Sequence, residues 1–123
     1  MSDKTVLVVD DQIDFLDVVQ RALEQDGYDV VRATSASEAL ACAEQVQPIC
    51  AIVDHRLVGP SGIELTRELR ERHGNGMVIV MCTAHADAEH REAAERAGTD
   101  MVMAKPLDFE RLRTVLPPLA PRS

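Results

Sequence analysis

The sequence predicts an α/β protein built on an open, doubly wound parallel sheet. Short apolar runs alternate with longer stretches of helical character along the chain, and Gly, Pro or Asn residues separate many of these segments. The third observation is size, because 123 residues with 46% hydrophobic and 28% charged side chains suit one soluble domain with one core. We therefore expect five β-α units in a single domain.

The predicted strands and helices alternate without a repeat. The strands are expected at 5–9, 28–32, 49–53, 77–82 and 101–104, and the helices at 12–26, 36–47, 62–73, 87–97 and 108–116. The second strand is the most polar and is therefore placed at an edge of the sheet. Asp11 is expected to cap the first helix, which Gly27 ends. Ser35 and Glu38 have the spacing of a capping box before the second helix, which Pro48 ends.

The last three helices differ in how much apolar surface they carry. The third has an apolar stripe formed by Ile63, Leu65 and Leu69, and Arg70 is expected outside that stripe. Alanine is the only apolar residue type in the fourth helix, which should therefore bury little and move more easily than its neighbours. Asp108 is the expected cap of the fifth helix.

Polar residues with complementary chemistry follow four of the apolar runs. They are Asp10, Asp11, Asp54, Thr83 and Lys105. The carboxyl ends of the strands in an open α/β sheet form the crevice where ligands bind, so these side chains should converge. Three carboxylates, a hydroxyl and an ammonium suit a hard divalent cation together with a phosphoryl group.

Each member of this set has an expected role. Asp54 is the candidate nucleophile that takes a phosphoryl group, and Asp10 and Asp11 are the candidate ligands of a cation such as Mg²⁺. Lys105 is expected to pair with Asp54 until a phosphoryl group arrives, and Thr83 to donate a hydrogen bond to that group. Taken singly, the same residues are ordinary helix caps, turn residues, strand ends or surface lysines. Their coincidence at four strand ends favours the site.

Charge and cysteine usage exclude several classes of function. A net charge of −8 leaves no basic face for a nucleic acid backbone, which argues against direct binding of nucleic acid. The cysteines, Cys42, Cys50 and Cys82, are odd in number and lack metal-ligand spacing, which is typical of small core residues in a reducing cytosol. No apolar signal region or membrane-length run is present, and we expect a cytoplasmic protein with no membrane contact.

Over nearly its whole length the sequence resembles the receiver domains of two-component response regulators. The motifs are Val-Val-Asp-Asp at 8–11, Val-Asp-His-Arg-Leu at 53–57, Pro-Ser-Gly at 60–62, Thr-Ala-His at 83–85, and Ala-Gly-Thr-Asp followed by Lys-Pro at 97–106. The resemblance implies a flavodoxin-like three-layer α/β/α fold with strand order 2-1-3-4-5. It also implies that a sensor histidine kinase or histidine phosphotransfer protein phosphorylates Asp54, with Mg²⁺ as cofactor.

The resemblance carries further expectations for individual residues. It implies that the metal is held by Asp10, Asp11, Asp54 and the backbone carbonyl of Arg56, and that the peptide bond between Lys105 and Pro106 is cis. Val102 departs from the family, which has an aromatic residue at that position that turns inward on activation. A β-branched side chain has few rotamers. We therefore expect the signal to pass through the 83–85 loop and the fourth helix.

The remaining expectations concern the extent of the domain and the alternative functions. Residues 1–118 are expected to form the receiver domain, and the Pro-containing tail 119–123 to begin a linker to an output domain or effector. Such a module is no enzyme beyond its own phosphorylation and dephosphorylation. One alternative is a degenerate receiver that binds proteins independently of phosphorylation. Another is a Mg²⁺-dependent aspartyl-phosphate phosphatase, which would want a second acid that the run at 54–56 lacks.

Overall fold

The computed structural model describes residues 4–57, 61–84 and 87–117. The strands are β1 (Thr5–Val9), β2 (Asp29–Ala33), β3 (Cys50–Asp54), β4 (Val78–Thr83) and β5 (Met101–Ala104). The helices are α1 (Ile13–Gln25), α2 (Ala36–Val46), α3 (Gly62–His73), α4 (Ala88–Ala97) and α5 (Phe109–Val115), with a short 3₁₀ turn at Gly74–Gly76. The predicted elements are therefore all present, with bounds that shift by one or two residues. The tail 119–123 and the motif residues Pro60 and His85 lie outside the described residues.

All five strands are parallel and lie in the order β2-β1-β3-β4-β5, which confirms the expected doubly wound topology. The polar strand β2 is at an edge, as predicted. It begins at Asp29, one residue later than expected, because Tyr28 leaves the ladder and packs into the core. The Tyr28 hydroxyl donates to the carbonyl of Pro117 at 2.9 Å and so joins the second strand to the end of the domain.

The alternation of side chains along the strands divides the core into two main layers. On β1, Val6 and Val8 enter one layer with α1 and α5, whereas Leu7 and Val9 enter the other layer with α2 and α3. Both faces of the sheet are buried, as parallel sheets require. On the part of the sheet next to α4, a much smaller cluster groups Met81, Ala94 and Val102, so α4 buries little apolar surface as predicted.

The start of α1 differs from the prediction. Asp11 is not its cap: Gln12 occupies the N-cap position, and its side chain makes no capping hydrogen bond. The carboxylate of Asp10 instead accepts the backbone N–H of Gln12 at 2.8 Å. Asp11 is an exposed member of the acidic cluster described below, so the tertiary site, not the local capping preference, determines what its side chain contacts.

The other helix starts use conventional caps. Ser35 accepts the backbone N–H of Glu38 and caps α2 as predicted. The Glu38 carboxylate accepts the N–H of Thr34 at 3.0 Å, one residue before the N-cap position that a capping box uses. Asp108 accepts the N–H of Arg111 at 3.2 Å and caps α5 as expected. These side chains satisfy donors that a helix start leaves without internal partners.

Arg70 does not lie in solvent outside the apolar stripe, as the sequence led us to expect. Its side chain is only 14% exposed and reaches across to the end of α4, where Nε donates to the carbonyl of Gly98 at 2.8 Å. Its guanidinium also donates to the carbonyl of Met77 and to the carboxylate of Asp100. One long side chain therefore holds α3 against the amino ends of β4 and β5.

The helices are short. The longest, α1, has 13 residues, whereas a helix that spans a bilayer needs about 20 apolar residues. Within the described parts of the chain, no helix has the length and apolar character that crossing a membrane requires.

Candidate phosphoryl and cation site

The polar residues that follow the strands meet at the carboxyl edge of the sheet, as predicted. Asp10 follows β1, Asp54 is the last residue of β3, Thr83 is the last residue of β4, and Lys105 follows β5. Because these four strands are neighbours in the sheet, their ends lie side by side. The sheet thus gathers residues that are up to 95 positions apart in the sequence.

Three carboxylates form the acidic part of this site. One oxygen from each of Asp10, Asp11 and Asp54 lies within 4.8 Å of the others. Asp10 is fully buried and Asp54 is 7% exposed, whereas Asp11 faces solvent. A cluster of this kind offers several hard oxygen ligands on one side and an open approach on the other, which suits a small divalent cation.

A cavity of about 280 Å³ opens onto this cluster. It is lined by Asp11, Gln12, Asp54, Arg56, Thr83, Ala84 and Lys105. The buried hydroxyl residue Thr83 and the cation Lys105 therefore face the same space as the Asp54 carboxylate. The cavity is large enough to admit a phosphoryl group beside a cation.

Lys105 bridges two of the carboxylates, and its closer partner is not the predicted one. Its Nζ lies 2.7 Å from Asp10 Oδ2 and 3.4 Å from Asp54 Oδ1. The fully buried Asp10 carboxylate has no access to solvent, so it gains most from a charged donor. Burial alone would lower the pKa of Lys105. The hydrogen bond that Lys105 donates to Asp10 and the charges of Asp54 and Asp10 outweigh burial and raise the pKa of Lys105 above its ordinary value.

The electrostatics of Asp54 differ from those of an ordinary surface carboxylate. Burial raises its pKa, and the negative charge of Asp10 raises it further. The ammonium of Lys105 and a hydrogen bond from the backbone of Arg56 act in the opposite direction but do not cancel these effects. The ionised Asp54 is therefore short of positive charge in the protein alone, and a bound cation would supply it.

Main-chain hydrogen bonds fix the loops that carry these side chains. The N–H of Lys105 donates to the carbonyl of Thr83 at 2.9 Å, and the N–H of His55 donates to the carbonyl of Cys82 at 3.0 Å. The peptide bond between Lys105 and Pro106 is cis, as expected. The β3, β4 and β5 ends are thus held in register just where the site needs them.

Comparison with known proteins agrees with this site. Residues 6–117 match the family model of the response regulator receiver domain. The chain belongs to that family. The chain is 34% identical over 116 residues to the probable transcriptional regulatory protein TcrX of Mycobacterium tuberculosis, a match that covers 91% of this chain and 49% of TcrX. The receiver domain spans about half the length of TcrX and of comparably similar transcriptional regulators.

Solved receiver structures share the fold. A CheY-like response regulator receiver domain protein of Methanospirillum hungatei superposes with a TM-score of 0.85 at 31% identity, covering 92% of this chain and 93% of that one. A response regulator protein of Burkholderia pseudomallei, solved with a phosphorylated aspartic acid, a calcium ion and citrate, also gives 0.85 at 31% identity, covering 93% of this chain and 66% of that one. Receiver domains of this family are switch modules of two-component signalling.

The close approach of Gly62 to the backbone of Asp54 was not predicted from the sequence. A Cβ placed on Gly62, the first residue of α3, would lie 2.2 Å from the backbone oxygen of Asp54. The N–H of Gly62 donates to the carbonyl of His55 at 3.0 Å. Only glycine allows α3 to start this close to the Asp54 backbone. A glycine at the first position of a predicted helix was the available signal.

The residue at the position of the usual aromatic switch is buried. Val102 is 5% exposed and packs with Met81 of β4 and Ala94 of α4. Its carbonyl accepts a hydrogen bond from Arg91 of α4 at 3.3 Å. A side chain this small and enclosed cannot make the large inward and outward movement of an aromatic ring.

Proposed function

We propose that this receiver domain accepts a phosphoryl group on Asp54 from a phosphohistidine, in a reaction that depends on Mg²⁺, and thereby switches a partner or an output domain. The observation that carries the proposal is the position of Asp54. Its nearly buried carboxylate lies beside Lys105 and two further carboxylates, at the wall of an open cavity. The donor is a sensor histidine kinase or a histidine phosphotransfer protein.

The reaction exchanges one bond to phosphorus for another. An oxygen of Asp54 attacks phosphorus in line, an acyl phosphate O–P bond forms, and the N–P bond to the donor imidazole breaks, so that the imidazole leaves and takes up a proton. Asp54 must be ionised for this attack. Burial and the charge of Asp10 raise the pKa of Asp54, and a bound positive charge beside it favours the ionised carboxylate, which is the reactive form.

Three carboxylates and one carbonyl are the proposed metal ligands: Asp10, Asp11, Asp54 and the backbone oxygen of Arg56. When bound, Mg²⁺ would neutralise part of the negative charge of the cluster and coordinate oxygens of the transferred group. The donor set fits a hard cation because the clustered side chains contribute only oxygen. Asp10 would then share its charge between the metal and Lys105.

Lys105 and Thr83 act on the transferred group itself. The Lys105 ammonium, already within 3.4 Å of Asp54 Oδ1, pairs with a phosphoryl oxygen once Asp54 is modified. The buried hydroxyl of Thr83 lines the same cavity and donates to another phosphoryl oxygen. The Burkholderia response regulator, solved with a phosphorylated aspartic acid and a calcium ion, supports the proposal that a protein of this fold carries a phosphoryl group on aspartate.

The proposed domain comprises residues 1–118, and residues 119–123 begin a linker. An output domain or separate effector receives the signal, which accords with the greater length of the transcriptional regulators that resemble this chain. The domain itself, with a net charge of −8, does not contact nucleic acid. It catalyses only its own phosphorylation and dephosphorylation.

The surface around the cavity supports a protein donor. Ile13, the first residue of α1, is 53% exposed, belongs to neither core layer, and directly follows Gln12, which lines the cavity. An exposed apolar side chain beside a reactive site is typical of a protein contact. We propose that the donor covers this end of α1 while its phosphohistidine enters the cavity.

Intact-protein mass spectrometry tests the proposed function. The chain is incubated with acetyl phosphate in the presence of Mg²⁺ or of EDTA, and we expect one phosphoryl adduct only with Mg²⁺. Asp54→Asn should abolish the adduct, whereas Asp14→Asn, an exposed aspartate on α1, should retain it. A folded wild-type chain without an adduct is next offered a phosphorylated histidine phosphotransfer protein. Failure with both donors would leave the phosphorylation-independent binding module as the function.

A further inference from the structure

The aromatic ring of Phe15 lies against the ammonium of Lys105. The Lys105 Nζ is 4.4 Å from the ring centroid, inside the range in which a cation is attracted by the face of an aromatic ring. Phe15 is in the first turn and a half of α1 and is partly buried against the larger core layer. The contact therefore joins the core to the cation of the site.

The ring is a third neighbour of the ammonium, beside two carboxylates. The Lys105 Nζ lies 2.7 Å from Asp10 Oδ2 and 3.4 Å from Asp54 Oδ1. The Lys105 side chain is only 18% exposed, and in such a poorly solvated position the attraction of a ring for a cation is stronger than at the surface. A leucine at this position would fill only part of the same volume and would not attract charge.

The ring also differs from the carboxylates in what happens to it during the proposed reaction. Asp10 is a proposed metal ligand, and Asp54 is the proposed site of modification, so both partners of Lys105 change. Phe15 neither binds metal nor becomes modified. Its contact with the ammonium is therefore the one that the proposed reaction does not itself alter.

We propose that Phe15 is a positioning residue that holds the Lys105 ammonium beside Asp54 while the carboxylates of the site change partners. This inference rests on the proposed phosphorylation of Asp54. It assigns to the first helix a part in the chemistry that its exposed polar residues do not suggest. The consequence is that the rate of phosphorylation depends on the electron density of one ring in α1.

Substitutions separate this role from packing. We expect Phe15→Leu to lower the rate of phosphorylation by acetyl phosphate and Mg²⁺ by about three- to tenfold, and Phe15→Tyr to restore most of it. The matched control is Phe109→Leu, because Phe109 is the other phenylalanine of the chain and contacts the same core layer. That control should leave the rate unchanged although it removes the same ring volume.

Fluorination makes the test sharper because it weakens the attraction for a cation while nearly preserving the shape of the ring. In Phe109→Leu, Phe15 is the only phenylalanine, so biosynthetic incorporation of mono-, di- and trifluorinated phenylalanine labels this position alone. We expect the rate to fall stepwise with each fluorine. Equal rates across the series, or Phe15→Leu with the wild-type rate, would overturn the proposal.

A readout without phosphorylation keeps the two proposals distinguishable. The ε-methylene protons of Lys105 should resonate upfield in the NMR spectrum of the unmodified protein because of the ring current of Phe15, and this shift should vanish in Phe15→Leu. If the wild-type chain takes no phosphoryl group, the proposed function fails, and the NMR shift still decides the contact. Absence of the shift in the wild-type protein contradicts the positioning role whatever the chain's activity.

Discussion

Lys105 and Arg70 are two long cationic side chains that join distant parts of the chain, and their surroundings differ. Arg70, at the amino ends of β4 and β5, meets one carboxylate and several backbone carbonyls, so its charge and donors are matched. Lys105, at the carboxyl edge, is one ammonium among the three clustered carboxylates. The Arg70 cluster is complete, because the charge and the donors of Arg70 have partners. The Lys105 cluster lacks positive charge, because it has one ammonium for three carboxylates.

This difference indicates what each end of the sheet does. Asp100, the partner of Arg70, also accepts the N–H of Ile79 at 2.8 Å, so the Arg70 cluster links α3, α4 and two strands into one unit. The Lys105 cluster keeps a solvent-exposed carboxylate, Asp11, beside two buried ones. A complete cluster stabilises the fold, whereas an acidic cluster that is short of positive charge suits the binding of a cation.

The largest expected effect is the loss of the complete cluster. Arg70→Met keeps much of the aliphatic stem but leaves the carbonyls of Gly98 and Met77 and the carboxylate of Asp100 without their donor. We expect the free energy of unfolding to fall by about 1–3 kcal/mol. Urea unfolding followed by far-ultraviolet circular dichroism measures this, since the chain has no tryptophan. An unchanged midpoint would mean that water replaces the guanidinium at no cost.

The second effect comes from completing the other cluster. At a Mg²⁺ concentration ten times the dissociation constant, we expect the free energy of unfolding to rise by about 1.4 kcal/mol, because only the folded chain gathers the three carboxylates. Asp10→Asn should reduce this gain, whereas Asp14→Asn should not. The same Mg²⁺ addition in Arg70→Met should give the wild-type increment, since the clusters lie at opposite ends of the sheet. Equal stabilisation of Asp10→Asn and the wild type would place the cation elsewhere.

The third effect concerns Asp54, whose ionised form is destabilised by its surroundings in the folded protein. Burial and the charge of Asp10 raise its pKa in the folded state, so folding becomes less favourable as the pH rises from the ordinary pKa of an aspartate through the raised one. Asp54→Asn removes this titration. Without metal at neutral pH, its free energy of unfolding should exceed that of the wild type by on the order of 0.5 kcal/mol. The gain should shrink as the pH falls toward 4 or below, roughly the ordinary pKa of an aspartate, where both side chains are neutral. Thermal unfolding in EDTA at several pH values checks the sign, and a gain that grows toward acid would refute it.

The sequence was sufficient to predict that the polar residues at the strand ends converge. Asp10, Asp54, Thr83 and Lys105 each come at or just after the end of an apolar run, and a parallel sheet leaves such residues at one edge. The capping role of Asp11 was wrong because that prediction used only the local preference for aspartate at a helix start. The side chain belongs to a cluster made by strands that are distant in sequence.

Contacts between residues that are far apart in the sequence could not be predicted from it for the same reason. The Arg70 side chain reaches the carbonyl of Gly98, 28 positions away, and helical periodicity only indicates which side of α3 it leaves. The sequence did not single out Phe15, because its contact with Lys105 depends on how α1 packs near the end of β5. Gly62 belongs to the Pro-Ser-Gly motif at 60–62, but the reason for glycine lies in its close approach to the backbone of Asp54.

The smallest effect separates burial from ion pairing as the cause of Arg70's importance. Arg72 is on the same helix and lies 3.3 Å from Glu44 of α2 and 3.2 Å from Glu68, so it has more carboxylate partners than Arg70. Its side chain is 44% exposed, however, and water and salt screen both pairs. Arg72→Met should therefore change the free energy of unfolding by less than about 0.5 kcal/mol, and in 1 M NaCl by less still. A loss as large as that of Arg70→Met would show that the number of ion pairs, not the enclosure of the guanidinium among backbone carbonyls, holds α3 in place.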